Sequence, residues 1–220
     1  MVIALDGPGG VGKSTVTRRL AELLELDFLD TGATYRAATV AALRAGVDIT
    51  DEDAALGAVM DSEIAYVDGV ILLDGESVVE ATRSDAVTKA VSAVSAHPRV
   101  RQHVVDIQRR WVADHGGDAV VEGRDIGTVV FPDAAVKIFL TARAEVRAAR
   151  RAGDAEAVNQ DVAEIVADLN RRDHADSTRK ASPLRPADDS VEVDTSELGI
   201  EEVVAAILGV IASRSTDDRR

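Results

Sequence analysis

The sequence predicts an α/β protein with a doubly wound core, a parallel five-stranded sheet flanked by helices. Short apolar runs, typical of buried parallel strands, alternate along the chain with segments whose apolar residues recur at helical spacing. Such alternation favours βαβ connections and a parallel sheet. The five predicted strands cover residues 2–5, 28–29, 119–121, 136–140 and 191–193.

Helices are predicted between these strands. The first begins at Lys13, and the last presents an apolar face from Val203 to Ile211. Gly46 predicts the end of one helix, and Thr50 is placed as the N-cap of the next. The remaining predicted helices cover residues 35–44, 54–60, 85–96, 100–114, about 143–152 and about 160–173, the last two being rich in arginine.

A small antiparallel insert is predicted at about residues 62–82. Asp68-Gly69 and Asp74-Gly75 separate three β-rich runs there. Asp-Gly between such runs indicates β-hairpins, because both central residues of a type I′ turn need positive φ.

Composition and charge argue against binding to long nucleic acids, against disulfides and thiolate metal sites, and against a membrane protein. A formal net charge of −14 disfavours binding to long nucleic acids, because each phosphate contact requires a cation. The chain has no cysteine and therefore no disulfide or thiolate metal site. No signal peptide is apparent, and no apolar stretch approaches the roughly 20 residues that span a bilayer, so we expect a cytoplasmic protein without membrane contact. No exposed apolar helix demands a partner, so we expect a monomer.

The clearest chemical signal is a phosphate-binding loop between the first strand and the first helix. Residues 7–14 fit G-x-x-x-x-G-K-[ST], the P-loop pattern, which makes the predicted fold P-loop NTPase-type. Its glycines let backbone N–H groups converge on a phosphate, while Lys13 supplies a mobile cation and the Ser14 hydroxyl can bind Mg²⁺. The predicted ATP site is Gly7, Pro8, Gly9, Gly10, Val11, Gly12, Lys13, Ser14 and Thr15.

Other features narrow the class of P-loop protein. The Asn-Lys-x-Asp guanine signature of GTPases is missing, and the strand at 119–121 continues as Glu122-Gly-Arg-Asp125 rather than ending as in motor or transporter ATPases. Arg36 and Arg124 follow strand ends, where ligands bind in open α/β sheets. Arg147, Arg150 and Arg151 share one helix face. Two anionic substrates need several such guanidinium groups, which favours a small-molecule kinase.

The chain resembles bacterial cytidylate kinases from about residue 2 to residue 212. The run Gly123–Pro132, GRDIGTVVFP, distinguishes that family from adenylate and shikimate kinases. The other matching segments are 4–15, 29–36, 98–101 and 136–140, with Arg172-Asp173, Asp176, Arg179 and Pro183-Leu184. The resemblance implies transfer of the γ-phosphate of ATP to CMP or dCMP. It also implies a core of residues 1–36, 84–142 and 174–212, an NMP-binding insert of about 37–97 and a lid of about 143–173.

The resemblance implies roles for individual residues as well. Arg36 and Arg124 are expected to clamp the CMP phosphate. The further CMP contacts that it implies are Thr31, Ser92, Arg101 and Asp125 at the base and Arg172 and Asp176 at the ribose. The residues expected to neutralise charge on the moving phosphoryl group are Lys13, Arg124, Arg147, Arg151 and Arg179. The departures from the usual pattern of the family are Thr31, Thr34, Glu122 and Ala175.

The expected chemistry requires no general base. The acceptor is a phosphate oxygen whose second pKa is about 6, so it is already anionic near neutral pH. We therefore assign no role in catalysis to the four histidines. Two alternatives stay open from sequence: another acceptor on the same fold (UMP, AMP or a small hydroxyl metabolite), or a nucleotide-dependent switch without acceptor-stimulated turnover.

Overall fold

The computed structural model describes residues 1–153 and 162–217. Helices and strands are numbered here in chain order. The chain divides into two compact units: the first comprises Met1–Phe28, Gly117–Thr178 and Ser182–Arg220, and the second comprises Leu29–Gly116 and Arg179–Ala181. The division into core, insert and lid stays a prediction.

A five-stranded sheet forms the centre of the first unit. Its strands are β1 (Val2–Asp6), β2 (Asp27–Asp30), β6 (Ala119–Gly123), β7 (Val136–Thr141) and β8 (Val191–Asp194), in the order β2-β6-β1-β7-β8. β1 pairs in parallel with β6 and with β7, and β7 pairs in parallel with β8. The predicted parallel sheet is confirmed. Its central strands, which consist mainly of apolar residues, are buried except for the first residue of β1 and the last residue of β7.

Four helices of the first unit flank this sheet or pack on each other. They are α1 (Lys13–Leu24), α7 (Ala144–Ala152), α8 (Val162–Thr178) and α9 (Ile200–Asp217). Leu20 and Ile207 join the sheet residues Leu5 and Ile138 in one buried apolar core. A separate small core forms where Ala148 of α7 meets Ile165 and Leu169 of α8.

The second arginine-rich helix is longer than predicted. The helix was predicted to end at about residue 173, whereas α8 continues to Thr178. The five additional residues contain neither glycine nor proline, so nothing in the local sequence ends the helix before them. Residues 154–161, which hold the acidic part of the predicted lid, lie outside the described residues.

The second unit combines helices with a small antiparallel sheet. The helices are α2 (Thr31–Arg44), α3 (Glu52–Met60), α4 (Val79–Thr82), α5 (Asp85–Val94) and α6 (Pro98–Asp114), and the strands are β3 (Ile64–Val67), β4 (Val70–Leu73) and β5 (Glu76–Ser77). The order β3-β4-β5 and the antiparallel pairing confirm the predicted meander. Both Asp-Gly pairs have positive φ, as the turn type requires.

The starts of α2 and α3 differ from the sequence prediction, and α6 begins at Pro98 rather than at residue 100. α2 begins at Thr31 rather than at residue 35, because the Asp30 carboxylate accepts the backbone N–H of Ala33 at 3.2 Å and caps the helix. α3 is capped by Asp51 rather than by Thr50. The Thr50 hydroxyl instead donates to the carboxylate of Asp48 at 2.7 Å, in a turn that precedes the helix.

Within the described ranges, 1–153 and 162–217, no helix is both long and apolar enough to cross a membrane.

Candidate active site

The phosphate-binding loop, residues 7–14, joins β1 to α1 in a conformation that requires glycine. Gly7 and Gly10 have φ angles of 149° and 79°. A Cβ on Gly7 would lie 2.3 Å from the carbonyl oxygen of Leu140, and one on Gly10 would lie 2.9 Å from the carbonyl oxygen of Arg147. Because no side chain fits at these two positions, the loop backbone approaches β7 and α7 more closely than any other residue would allow.

Cationic side chains hold the carbonyl groups of this loop. Four of them donate over 2.6 to 3.3 Å: Lys13 to Gly7 and Pro8, Arg124 to Gly7, Arg147 to Gly9, and Arg150 to Val11. The C=O and N–H of a trans peptide point in opposite directions, and no described peptide bond is cis. The N–H groups of Gly10 and Gly12 therefore point away from the arginines, as a phosphate cradle needs.

Ser14 and Glu122 offer oxygen ligands beside the loop. The Ser14 hydroxyl donates to the Glu122 carboxylate at 3.1 Å, and Glu122 is buried at the end of β6. Mg²⁺ prefers such oxygen atoms and is usually held by one or two protein groups together with phosphates and water. The two residues fit that pattern, and within the part of the chain that the structure describes no cluster of three or more acidic or histidine side chains could hold a metal by itself.

Arg124 is oriented from two directions within the first unit. Its Nε donates to Asp176 at 2.8 Å, and its Nη1 donates to the carbonyl of Gly7 at 2.6 Å. Asp176 lies on α8, which reaches it only because the helix runs past residue 173. One end of the guanidinium is therefore held by α8 and another by the phosphate-binding loop.

Asp125 begins a π-helical turn over residues 126–130 that the sequence analysis did not predict. Its side chain is buried, and its carbonyl accepts the N–H groups of Val129 and Val130 at 2.9 and 3.1 Å. The turn holds the carbonyl of Asp125 and so fixes the backbone that directly follows Arg124; the resemblance assigns CMP contacts to both residues.

Arginines of α7 hold the phosphate-binding loop through its carbonyl groups. Arg147 is buried and pairs with Asp173 of α8, whose carboxylate also lies 3.4 Å from the N–H of Gly9. Arg150 donates to the backbone and hydroxyl of Thr195 as well as to the loop. Arg151 is half-buried in the last turn of α7. The predicted role of this face in a lid stays a prediction, since these contacts show only its support of the loop.

The second unit brings four predicted CMP residues onto three helices. Thr31 and Arg36 lie on α2, Ser92 on α5 and Arg101 on α6. Arg36 donates to the carbonyl of Thr82 at 2.7 Å and lies 3.3 Å from the Thr88 hydroxyl of α5.

Arg101 is almost wholly buried and links α6 to its neighbours. Its guanidinium lies over the Tyr35 ring, 5.0 Å from the centroid, and donates to the carbonyl of Ser95 at 3.2 Å. A cation over an aromatic face gains electrostatic attraction while its planar shape is held. Ser92 is half-buried one turn before Ser95.

A buried polar chain that sequence reasoning missed supports Thr31. Gln108 is fully buried, and its Nε2 donates to the Thr34 hydroxyl at 2.8 Å. That hydroxyl donates in turn to the carbonyl of Thr31, also at 2.8 Å. One signal could have found Gln108: it lies seven residues, two helical turns, after Arg101, on the face of α6 that carries Val104 and Val105.

Arg172 and Arg179 are the remaining predicted site residues. Arg172 is half-buried on α8, and Arg179 follows that helix within the second unit. His97 and His115, to which no role in catalysis was assigned, flank α6. Their ring nitrogens lie 2.8 and 2.7 Å from the carbonyls of Ile49 and Trp111.

Residues 3–213 match the family model described as cytidylate kinase. The chain belongs to the cytidylate kinase family. The membership in this family that the motifs predicted is thereby confirmed. As a member of this kinase family, the chain is a nucleotide-binding phosphotransferase that uses ATP.

Relatives within the family are similar over almost their whole length. The cytidylate kinase of Rhodococcus jostii (strain RHA1) is 56% identical, covering 98% of this chain and 96% of the relative. The cytidylate kinase of Geobacillus kaustophilus (strain HTA426) is 45% identical, covering 96% of each. Among solved structures, an uncharacterized protein from Eubacterium ventriosum ATCC 27560 aligns with 97% of this chain and 98% of its own, with a TM-score of 0.53 and 12% identity, which shows a shared fold.

Proposed function

We propose that this protein transfers the γ-phosphate of ATP to CMP or dCMP, giving ADP and CDP or dCDP. The observation that carries the proposal is a complete phosphate-binding loop, with Lys13, Arg124 and Arg147 on its carbonyls, in a chain that matches the cytidylate kinase family from residue 3 to residue 213.

The donor ATP is assigned to residues 7–15. Loop N–H groups and the N-terminus of α1 bind the phosphates, and Lys13 moves its charge from two backbone carbonyls to phosphate oxygens. The Ser14 and Glu122 oxygens would hold Mg²⁺, which neutralises phosphate charge when bound. Lys13 thus stabilises charge that develops as the phosphoryl group leaves ADP.

The CMP contacts are assigned from the resemblance, and the chemistry of each residue is considered by itself. Arg36 and Arg124 carry the charge that a phosphate group needs, and Asp176 orients Arg124 through its Nε. Cytosine presents a donor at N4 and acceptors at N3 and O2. A carboxylate and a hydroxyl suit the donor, and a guanidinium suits the acceptors, which supports Asp125, Ser92 and Arg101 as base contacts.

The remaining assignments complete the acceptor site and the neutralisation of charge. Thr31 is placed beside the base, and Arg172 and Asp176 at the ribose. The resemblance assigns Arg147, Arg151 and Arg179 to charge on the transferred phosphoryl group. To reach that charge, Arg147 would have to leave the Gly9 carbonyl, which lies on the side opposite the phosphate-binding N–H groups.

The proposed reaction is in-line displacement by a phosphate oxygen of CMP. That oxygen is anionic near neutral pH, since the second phosphate pKa is about 6, so no side chain has to remove a proton. Catalysis then consists of alignment and charge neutralisation, in a site from which competing water is kept out.

An acceptor panel tests this function. Purified protein with ATP and Mg²⁺ is given CMP, dCMP, UMP, AMP or a small hydroxyl metabolite, and ADP release is measured. We expect CMP and dCMP to give the highest kcat/KM. A preference for any other acceptor would assign the fold to a different kinase reaction, and nucleotide binding without stimulation by any acceptor would indicate a switch.

We also infer a cytoplasmic monomer. Light scattering of the purified chain should give the mass of one copy, and the mass of a dimer would contradict this.

A further inference from the structure

Asp6 is a buried acidic residue at the end of β1 to which neither the motifs nor the resemblance gave a role. Only 5% of it is exposed. One carboxylate oxygen accepts the N–H of Ile126 and the other accepts the N–H of Gly127, each at 2.8 Å. Two short bonds to consecutive peptide groups fix both the position and the direction of that backbone.

The backbone held in this way belongs to the π-helical turn that follows Arg124 and Asp125. Asp125 immediately precedes Ile126, and its carbonyl accepts the N–H groups of Val129 and Val130 that close the turn. Asp6 itself immediately precedes Gly7, whose carbonyl accepts from Arg124. The Asp6 carboxylate therefore links the residue before the phosphate-binding loop to the two residues that directly follow Arg124 and Asp125.

The environment of Asp6 makes such a carboxylate costly to keep. The pKa of the Asp6 carboxyl is raised to about 6, mainly because of burial and also because of the nearby charge of Asp125, although the two backbone hydrogen bonds and Lys13 act to lower it. Lys137 of β7 packs its methylene groups near Gly127 and pairs with Asp189 at 2.9 Å. A site that served only to fill the core would be cheaper with an apolar residue.

We propose that Asp6 is a positioning residue for the phosphoryl transfer: its carboxylate holds the turn that aims Arg124 and Asp125 at CMP. The inference rests on the proposed function, because it assigns these two residues to the acceptor. Among the described residues the Asp6 carboxylate bonds the N–H groups of Ile126 and Gly127 and not those of the loop, so we expect its effect on the acceptor side of the reaction rather than on ATP binding.

The test compares Asp6→Asn with Asp51→Asn. Asp51 is a matched control, because its carboxylate also accepts two backbone N–H groups, from Asp53 and Ala54, but it caps α3 outside all the assigned sites. For each variant, kcat and KM for CMP, the Kd for ATP and amide hydrogen exchange at Ile126 and Gly127 are measured at pH 7.5.

In Asp6→Asn, kcat/KM for CMP is expected to fall about 10- to 100-fold, because a displaced turn misaligns the acceptor. The Kd for ATP stays within about threefold, and exchange at Ile126 and Gly127 accelerates about tenfold or more. Asp51→Asn leaves all of these near their original values. A folded Asp6→Asn protein with unchanged kcat/KM for CMP would overturn the proposal, as would an equal loss in ATP affinity.

A measurement on the unaltered protein covers the case in which Asp6→Asn does not fold. The amides of Ile126 and Gly127 should then be among the well-protected amides of the first unit, and exchange at unprotected rates would also overturn the proposal. Failure of the underlying function gives a different result, since the unaltered protein would then show no CMP-stimulated turnover whatever the state of the turn.

Discussion

The phosphate-binding loop of the first unit and the helices of the second unit that carry proposed CMP contacts are built in different ways. The loop is eight consecutive residues in which cations hold four carbonyls and two glycines, Gly7 and Gly10, admit no side chain. The residues assigned to CMP in the second unit instead come from α2, α5 and α6. Arg36 and Arg101 are each held by hydrogen bonds to backbone carbonyls of neighbouring segments.

This difference reflects how phosphate binding and acceptor recognition are each encoded in the sequence. Phosphate binding depends on backbone geometry, so few sequences provide it and a short motif reveals it. Recognition of an acceptor depends on side chains that packing brings together, so its residues are dispersed and can vary one at a time. We therefore expect substitutions in the loop to abolish turnover and substitutions in the second unit to change the response to CMP alone.

The largest effect is expected from Gly7→Ala. The new Cβ would lie 2.3 Å from the Leu140 carbonyl, so β7 or the loop must shift. We expect loss of measurable ATP binding and a decrease of about 3 kcal/mol in the free energy of unfolding. Calorimetric titration with ATP and denaturant unfolding measure the two effects. Normal ATP affinity in this variant would show that the loop tolerates a side chain.

Gly209→Ala is the matched control for that substitution. A Cβ at Gly209, on α9, would contact nothing within 4 Å. Alanine is favoured over glycine in a helix, so the variant should gain about 0.5–1 kcal/mol in stability and keep its activity.

Lys13→Ala is expected to lower kcat about 10²- to 10³-fold, the range measured when one stabilising donor is removed from a transition state. The fold should persist, because Lys13 is partly exposed and its two backbone bonds join groups of the same loop. ADP release and thermal unfolding measure activity and stability. Arg110→Ala, which removes an exposed cation from α6, is the control and should match the unaltered protein. Near-normal turnover in Lys13→Ala would remove the lysine from catalysis.

Arg36→Ala tests whether the second unit affects the response to CMP without affecting ATP binding. We expect KM for CMP to rise about 10- to 100-fold, as for the loss of hydrogen bonds to a charged group, with little change in the Kd for ATP. The control is Arg44→Ala on the same helix, where the arginine is exposed. Equal damage to ATP and CMP binding would mean that the two functions are not encoded separately.

The smallest effect is expected from the buried polar chain beneath Thr31. Thr34→Val removes the acceptor for Gln108 Nε2 and should cost about 1–2 kcal/mol of unfolding free energy. Adding Gln108→Leu should recover most of that loss, because the stranded amide is removed. Denaturant unfolding of the two single variants and the double variant measures the coupling, and strictly additive effects would show that the pair does not interact.

The local features of the fold and of the site could be predicted from the sequence. The features that were not predicted depend on contacts between residues that are far apart in the chain. The parallel strands, the Asp-Gly hairpins and the phosphate-binding loop each follow from a few neighbouring residues. The role of Asp6 depends on Ile126, 120 residues away, and that of Gln108 depends on Thr34, 74 residues away. No local pattern specifies such pairs, since each side chain taken alone is only a buried polar residue.

Transfer of a labelled γ-phosphate from ATP to CMP is the direct test of the proposed reaction. The purified protein is incubated with Mg²⁺, CMP and ATP that carries a radioactive γ-phosphate, and the products are separated. Label should appear in CDP, with little in inorganic phosphate, because the protein holds both nucleotides and keeps water from the phosphoryl group. Label that appears in inorganic phosphate alone, or that stays in ATP when CMP is present, would contradict the account.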